Sequence, residues 1–382
     1  MKKVILLFAL PLVSLPQGVQ NATFEGQPAI RLTNGKLELT VTEQGSTLAE
    51  LWLADDPEKF NPFWNPVRMA RELGHPAHFD GGAGVFVCVD GFGPPSKEEH
   101  AAGLPMHGEA HSQMFRIRSG RNGASTFATL SAHLPIVDEN FTRTIRMNDG
   151  ENVIHVESEL ESELGFDRPV NWAEHATLGS PFLASGETVV DISGSRSQTR
   201  PYEQVQYGEV HRRLASGKDF NWPMAPGLDG TPINIRETPG DPHYVDHATT
   251  LLDPARELEW ATAINLKHHL LIGYLFRRAE YPWLQYWGWY PASGKFARGM
   301  EFATQPYDVP RREVITMGKM FDTPAFRWLP AKSKIGTHFL VFYTRVPDDF
   351  RKVDDVRLEN GHIVIEDRAA AKQVTLASRS GL

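Results

Sequence analysis

Through most of the chain apolar and polar positions alternate with a period of two. Leu37, Leu39 and Val41 alternate with Lys36, Glu38 and Thr40, and the same rhythm returns over Phe141 to Arg146, Val153 to Glu157 and His338 to Thr344. Successive side chains of an extended strand point to opposite faces, so this period predicts strands with one buried face. Turn dipeptides separate them: Asn-Gly at Asn34, Asn122 and Asn360, and Asp-Gly at Asp80, Asp90, Asp149 and Asp229. Asn34-Gly35, between Ala29 to Leu32 and Leu37 to Val41, is predicted to close a two-residue hairpin. Helical spacing is scarce: Pro66 to Leu73 predicts two turns and Asp253 to Leu258 one. The pattern therefore predicts an all-β, mostly antiparallel chain with few short helices.

Four Gly- and Pro-rich stretches, His75 to Gly84, Gly91 to Pro105, Asn221 to Asp241 and Tyr290 to Arg298, are longer than hairpins need. Long ordered loops on a β scaffold are where binding residues are usually carried. A last hairpin is predicted over Val356 to Ile365, and the stretch after it, Ala369 to Leu382, is predicted to be loosely attached.

Met1-Lys2-Lys3 followed by the apolar run Val4 to Leu15 has the form of a signal peptide and is short for a membrane span. It divides the chain into an expected leader, residues 1–22, and one large domain, residues 23–382, exported to the periplasm or the medium. Cys88 is the only cysteine, so no internal disulfide can form and stability must come from the core. The formal net charge is -8, with no long basic run to offset it, which argues against nucleic acid or an anionic membrane surface as partner. A small uncharged molecule fits better. Neither a phosphate-binding loop, nor a zinc-spaced Cys/His cluster, nor an activated-serine motif stands in the sequence, so neither cofactor nor metal is expected.

Four polar positions invite a chemical reading. His175 sits in Asn171 to Leu183 beside Glu174, shortly after Trp172 and before a Gly-Ser-Pro turn. His107 lies between Pro105-Met106 and Gly108, a setting for a rigid turn. Asp246 follows Tyr244-Val245 and precedes His247 and the apolar run Ala248 to Leu252; Glu301 stands between Met300 and Phe302, where partial burial would tune its basicity. Each also has a plain structural role open to it: His175 as a core histidine, His107 closing a turn, Asp246 capping a helical turn, Glu301 pairing with Arg298 or Arg311.

Their order resembles the aldose 1-epimerase (galactose mutarotase) family. The motifs are Pro-x-His-Gly at His107, Glu-His at His175 with Gly and Pro-Phe downstream, Gly230-Thr231-Pro232 before the Tyr-x-Asp-His of Asp246, and Glu-x-x-x-Gln-Pro from Glu301. The gaps are 68, 71 and 55 residues. The resemblance implies a galactose mutarotase-like β-supersandwich, a large antiparallel two-layer fold that binds a sugar or glycan end in an open cleft. It implies Glu301 as the base that takes the anomeric proton, His175 as the acid that protonates the ring oxygen, and His107 and Asp246 as holders of hydroxyls. Ring opening of a hemiacetal needs such an acid and base near neutrality. Of Trp172, Trp283, Trp287 and Trp289, one is expected to offer its face to a sugar ring, with Trp172 and Trp287 as candidates. The family's Asn-Arg pair before the first histidine is missing; Asp80 occupies that region and would accept hydrogen bonds from hydroxyls, leaving Arg68 or Arg71 to supply a guanidinium. A carbohydrate-binding protein without catalysis, or a polysaccharide hydrolase or lyase, are the other activities this fold would allow.

Overall fold

The first hairpin is tied to the rest of the molecule through its turn residue. In the computed structural model, which describes residues 18–202 and 204–382, the Asn34 side chain accepts from the Lys36 and Leu37 backbone N–H groups. Its amide donates to the Asn148 and Glu151 carbonyls at 2.7 and 2.9 Å, so a turn 114 residues away is held by the same side chain. Gln27–Thr33 and Leu37–Thr42 pair on either side of it, as the alternation predicts. The expected leader lies, for residues 1–17, outside the described residues; residues 18–22 open the Gly18–Phe24 strand, which pairs with Gln27–Thr33 along its length.

Two large sheets follow. The first runs, in spatial order, through these first three strands, Leu48–Leu53, Val85–Val89, Trp172–Gly179, Ala297–Ala303, Trp283–Tyr290, Tyr244–Leu252, Gly194–Thr199 and Asp219–Asn221. The second has eight strands, from Thr188–Ile192 through Leu258–Asn265, Leu270–Arg277, Lys334–Arg345, Val153–Ser162, Glu139–Asn148 and Ser125–Leu134 to Arg116–Asn122. Strand pairs are antiparallel except that the short Val210–Arg212 strand runs parallel to Tyr244–Leu252. Between the sheets, Leu39, Val87, Trp172 and Phe302 meet Phe141, Ile145, Ile272 and Phe339 in one core. The core also holds an ion pair: Arg143 of the second sheet donates to both Glu174 carboxylate oxygens at 2.7 and 2.8 Å, and both residues are fully buried.

A third layer lies outside the second sheet. Along Leu270–Arg277, Ile272 and Tyr274 enter the inter-sheet core while Leu271 and Leu275 face the other way. On that outer face they meet Val356, Ile363, Ile365 and Leu376 of a three-stranded sheet, Asp355–Glu359, His362–Asp367 and Lys372–Ala377. The tail is therefore not loosely attached: Lys372–Ala377 pairs residue for residue with His362–Asp367, because Leu376 finds an apolar surface to cover.

Pro66–Glu72 forms the predicted helix, with Pro at its start and Asn65 accepting from the Arg68 N–H. Asp253 to Leu258 is a turn that runs into a strand and not a helix. Two short helices were not expected, Lys97–Ala101 and Arg311–Met317. The first carries a readable signal, a reciprocal Ser96–Glu99 capping box.

Candidate active site

Strand register assembles the site. Val85–Val89, Trp172–Gly179, Ala297–Ala303 and Trp283–Tyr290 are consecutive in the first sheet. Phe86 pairs with His175, and Glu301 pairs with Gln285. The pairs Glu174–Phe302 and Thr177–Gly299 flank the position where His175 comes opposite Glu301. Side chains directly opposite across antiparallel strands share a face, so the ladder itself brings histidine and glutamate together. His175 Nε2 lies 3.3 Å from Glu301 Oε1, both almost fully buried. His175 stacks on Phe86 with ring centroids 4.3 Å apart, and its Nδ1 is 2.7 Å from Thr177 Oγ1. The Glu301 carboxyl folds over Gly299: a Cβ there would sit 2.1 Å from Oε1.

Burial decides the protonation of this pair. It raises the Glu301 carboxyl to about 8, an effect offset only in part by the charge of Arg200. It drives His175 well below its ordinary value, helped by the nearby His107, His111 and His247. At neutral pH the two groups therefore hold one proton between them, on the carboxyl.

His107 closes the turn foreseen for it in a left-handed conformation, φ 66°. Its Nδ1 accepts from the Gly93 N–H at 3.2 Å, which places the ring proton on Nε2. Burial pushes this imidazole down to about 3, so it is a neutral donor. Its ring meets that of His175 edge-on at 5.1 Å.

These groups stand in a cleft of about 690 Å³, of the size usual for small-molecule sites, walled by Trp64, Trp287 and Trp289 and rimmed by His78 and Asp80. Of the residues proposed from sequence, His107, His175, Glu301, Trp287 and Asp80 line it. Asp80 is exposed, and its carboxylate accepts from the Gly82 N–H. Trp172 and Asp246 do not reach the cleft. Both face the other side of the sheet: Trp172 is buried against Phe141 of the second sheet, and Asp246 is fully buried between Arg213, at 3.0 and 2.6 Å, and the Tyr286 hydroxyl, at 2.9 Å. Strand alternation gives the cleft His247 in place of Asp246. Arg68 and Arg71 stay outside as well, held by Ser180 and Glu25. Among the described residues no group of three or more His, Cys, Asp or Glu side chains could hold a metal ion.

No protein-family model matches the chain, and no curated protein matches it in sequence. Solved structures do match. A galactose mutarotase-like protein from Clostridium acetobutylicum is similar over 86% of this chain and 99% of its own, with TM-score 0.59 and 11% identity. A galactose mutarotase-related enzyme from Lactobacillus acidophilus covers 85% and 100%, with TM-score 0.55 and 11% identity. A galactose mutarotase-like protein from Lactobacillus casei covers 83% and 100%, with TM-score 0.51 and 14% identity. The chain has the galactose mutarotase-like fold.

On this mutarotase-like scaffold several cleft residues escape a reading of the sequence. Phe86 lies on a plain apolar strand and His247 stands beside Asp246 in the Tyr-x-Asp-His motif, and only the register across the sheet shows that they face the cleft. Arg200, Arg212 and Asp308 come from segments with no distinguishing spacing. Arg200 is ion-paired to Asp308, whose carboxylate also lies 3.3 Å from His247 Nε2. The guanidiniums in the cleft thus come from other segments than the helix expected to supply one.

Proposed function

We propose that the cleft binds the reducing end of a sugar and interconverts its anomers by proton transfer through Glu301 and His175. The observation that carries this is the contact of 3.3 Å between a buried carboxyl and a buried imidazole that both line a sugar-sized cleft. The anomeric oxygen and the ring oxygen are bonded to the same carbon, so the base that takes one proton and the acid that gives the other must stand close together. One member of the pair receives the anomeric proton while the other supplies the ring oxygen; rotation in the open aldehyde and closure restore the starting state. The resemblance assigns the base to Glu301 and the acid to His175, a state one proton shift away from the neutral pair favoured by burial. His107 Nε2–H and the faces of Trp64 and Trp287 would hold the ring. A shallower hollow of about 390 Å³ shares Trp64, Trp287 and Trp289 with the cleft, which leaves space for a second sugar unit.

The test is the rate of α-to-β exchange of several aldoses by NMR saturation transfer, followed against pH. Glu301 has its pKa raised to about 8, so the shared proton is lost, and the rate falls, as pH rises through about 8. His175 is depressed below 6.5, so a second proton is gained, and the acid limb falls, only below that value. A rate independent of pH across this range would remove the pair from the reaction. Gly299→Ala is a sharper local probe. Its Cβ must displace the Glu301 carboxyl, not the backbone, so exchange should drop by roughly 10²-fold, as for a misplacement of about 1 Å. Its unfolding midpoint should stay within a few degrees of wild type by differential scanning fluorimetry.

A further inference from the structure

Adjacent arginines on one short strand meet different fates. Val210–Arg212 runs parallel to Tyr244–Leu252 with Arg212 opposite Val245, and the chain then continues into Arg213. Arg213 turns to the far side and is neutralised by Asp246 through three hydrogen bonds, at 3.0, 3.1 and 2.6 Å. Arg212 lines the cleft half-buried, its guanidinium over the Tyr202 ring at 4.4 Å. Among the described residues it has neither a carboxylate partner nor a side-chain hydrogen bond.

Among the described residues no carboxylate pairs with this cation; Asp246 acts on it only from the far face of the sheet, where Arg213 already matches it. Arg200, the other arginine of the cleft, is matched by Asp308. Glu301 adds no negative charge while it keeps its proton, and Asp80 sits on the outer rim. A guanidinium partly removed from water and left without an anion costs free energy that the fold does not recover. Five fixed donors in a fork suit a carboxylate or a phosphate.

We propose that Arg212 binds an acidic group on the sugar, so that the substrate class is an anionic aldose: a hexuronate or a sugar phosphate. This rests on the proposed anomer exchange for the placement of C1. Two strands, Trp283–Tyr290 and Tyr244–Leu252, stand between the Glu301 strand and the Val210–Arg212 strand. The acidic group therefore lies away from C1, at the end of the sugar remote from the reacting pair. The uncharged ligand expected from composition and from Asp80 is replaced by one that Arg212 selects.

The experiment compares matched sugars on the full chain: glucose, glucuronate and glucose 6-phosphate, and galactose with galacturonate, each followed by saturation-transfer NMR. Wild type should exchange an acidic sugar with kcat/KM roughly 10- to 100-fold above its neutral partner, the scale of a hydrogen bond to a charged group. A preference for the uronates assigns a carboxylate, and a preference for the 6-phosphate assigns a phosphate ester. Arg212→Gln should collapse the acidic-to-neutral ratio mainly through KM, and Arg212→Lys should restore part of it; circular dichroism and an unfolding midpoint close to wild type show that the variants fold. Neutral sugars exchanged as well as acidic ones by wild type, or a ratio unchanged in Arg212→Gln, would overturn the proposal. If wild type exchanges none of these sugars, the anomer reading fails, and saturation-transfer difference binding decides this one separately. Tighter binding of an acidic sugar that Arg212→Gln abolishes upholds it, and equal binding of the matched pair overturns it.

Discussion

Glu301→Gln is expected to slow anomer exchange by roughly 10²- to 10⁴-fold, the contribution of one positioned acid–base group. The amide keeps the shape of the carboxyl over Gly299 but cannot exchange a proton with His175. The limb of the pH profile near 8 should vanish with it, since that limb belongs to Glu301. Stability should move the other way. The folded protein holds the Glu301 proton up to about 8, while an unfolded chain releases it near the ordinary glutamate value of 4.5. Between these values the unfolded chain binds fewer protons, so wild type loses stability as pH rises and gains it as pH falls. The glutamine variant lacks this term and should unfold at a higher temperature than wild type at pH 8, with the two converging at pH 5. Equal exchange rates in wild type and variant for every sugar tried would leave the cleft a binding site only.

Arg143→Met is expected to destabilise the fold by about 3–5 kcal/mol, the usual cost of stranding one partner of a buried ion pair. Burial raises the Glu174 carboxyl, and Arg143, with hydrogen bonds from Trp172 and Tyr281, holds it down. Without the guanidinium the carboxyl rises further, and the variant should lose most stability above the ordinary glutamate range and least in mild acid. Adding Glu174→Gln to Arg143→Met should recover much of the loss, because the uncompensated charge is then gone. Urea unfolding of the two single variants, the double variant and wild type closes the cycle. A loss below about 1 kcal/mol in Arg143→Met would mean that the pair does not tie the two sheets together.

Strands, turns and the antiparallel class were legible because alternation is local: Leu37, Leu39 and Val41 announce their face without reference to any other segment. Within the site, the same parity separates His175 from Glu174, and it also removes Trp172, which shares the face of Glu174. Beside Asp246 and His247 it is silent, since one of two neighbours must face the cleft and only the register against Trp283–Tyr290 says which. Arg200 and Arg212 were hidden for a further reason. They stand on short, irregular segments whose course is set by tertiary contacts, and nothing in their immediate sequence distinguishes them from surface arginines. The tail was misread because its cover, the outer face around Leu271 and Leu275, belongs to a strand about a hundred residues earlier.

The reacting pair and the recognising groups are built on different materials. His175 and Glu301 are fixed by ladder hydrogen bonds between neighbouring strands, whereas His78, Asp80, Arg200 and Arg212 ride on connecting segments or at their edges. Under the proposed reaction, selectivity can drift without disturbing the proton transfer, and a library randomised at those four positions would sample new sugars on an unchanged reaction centre.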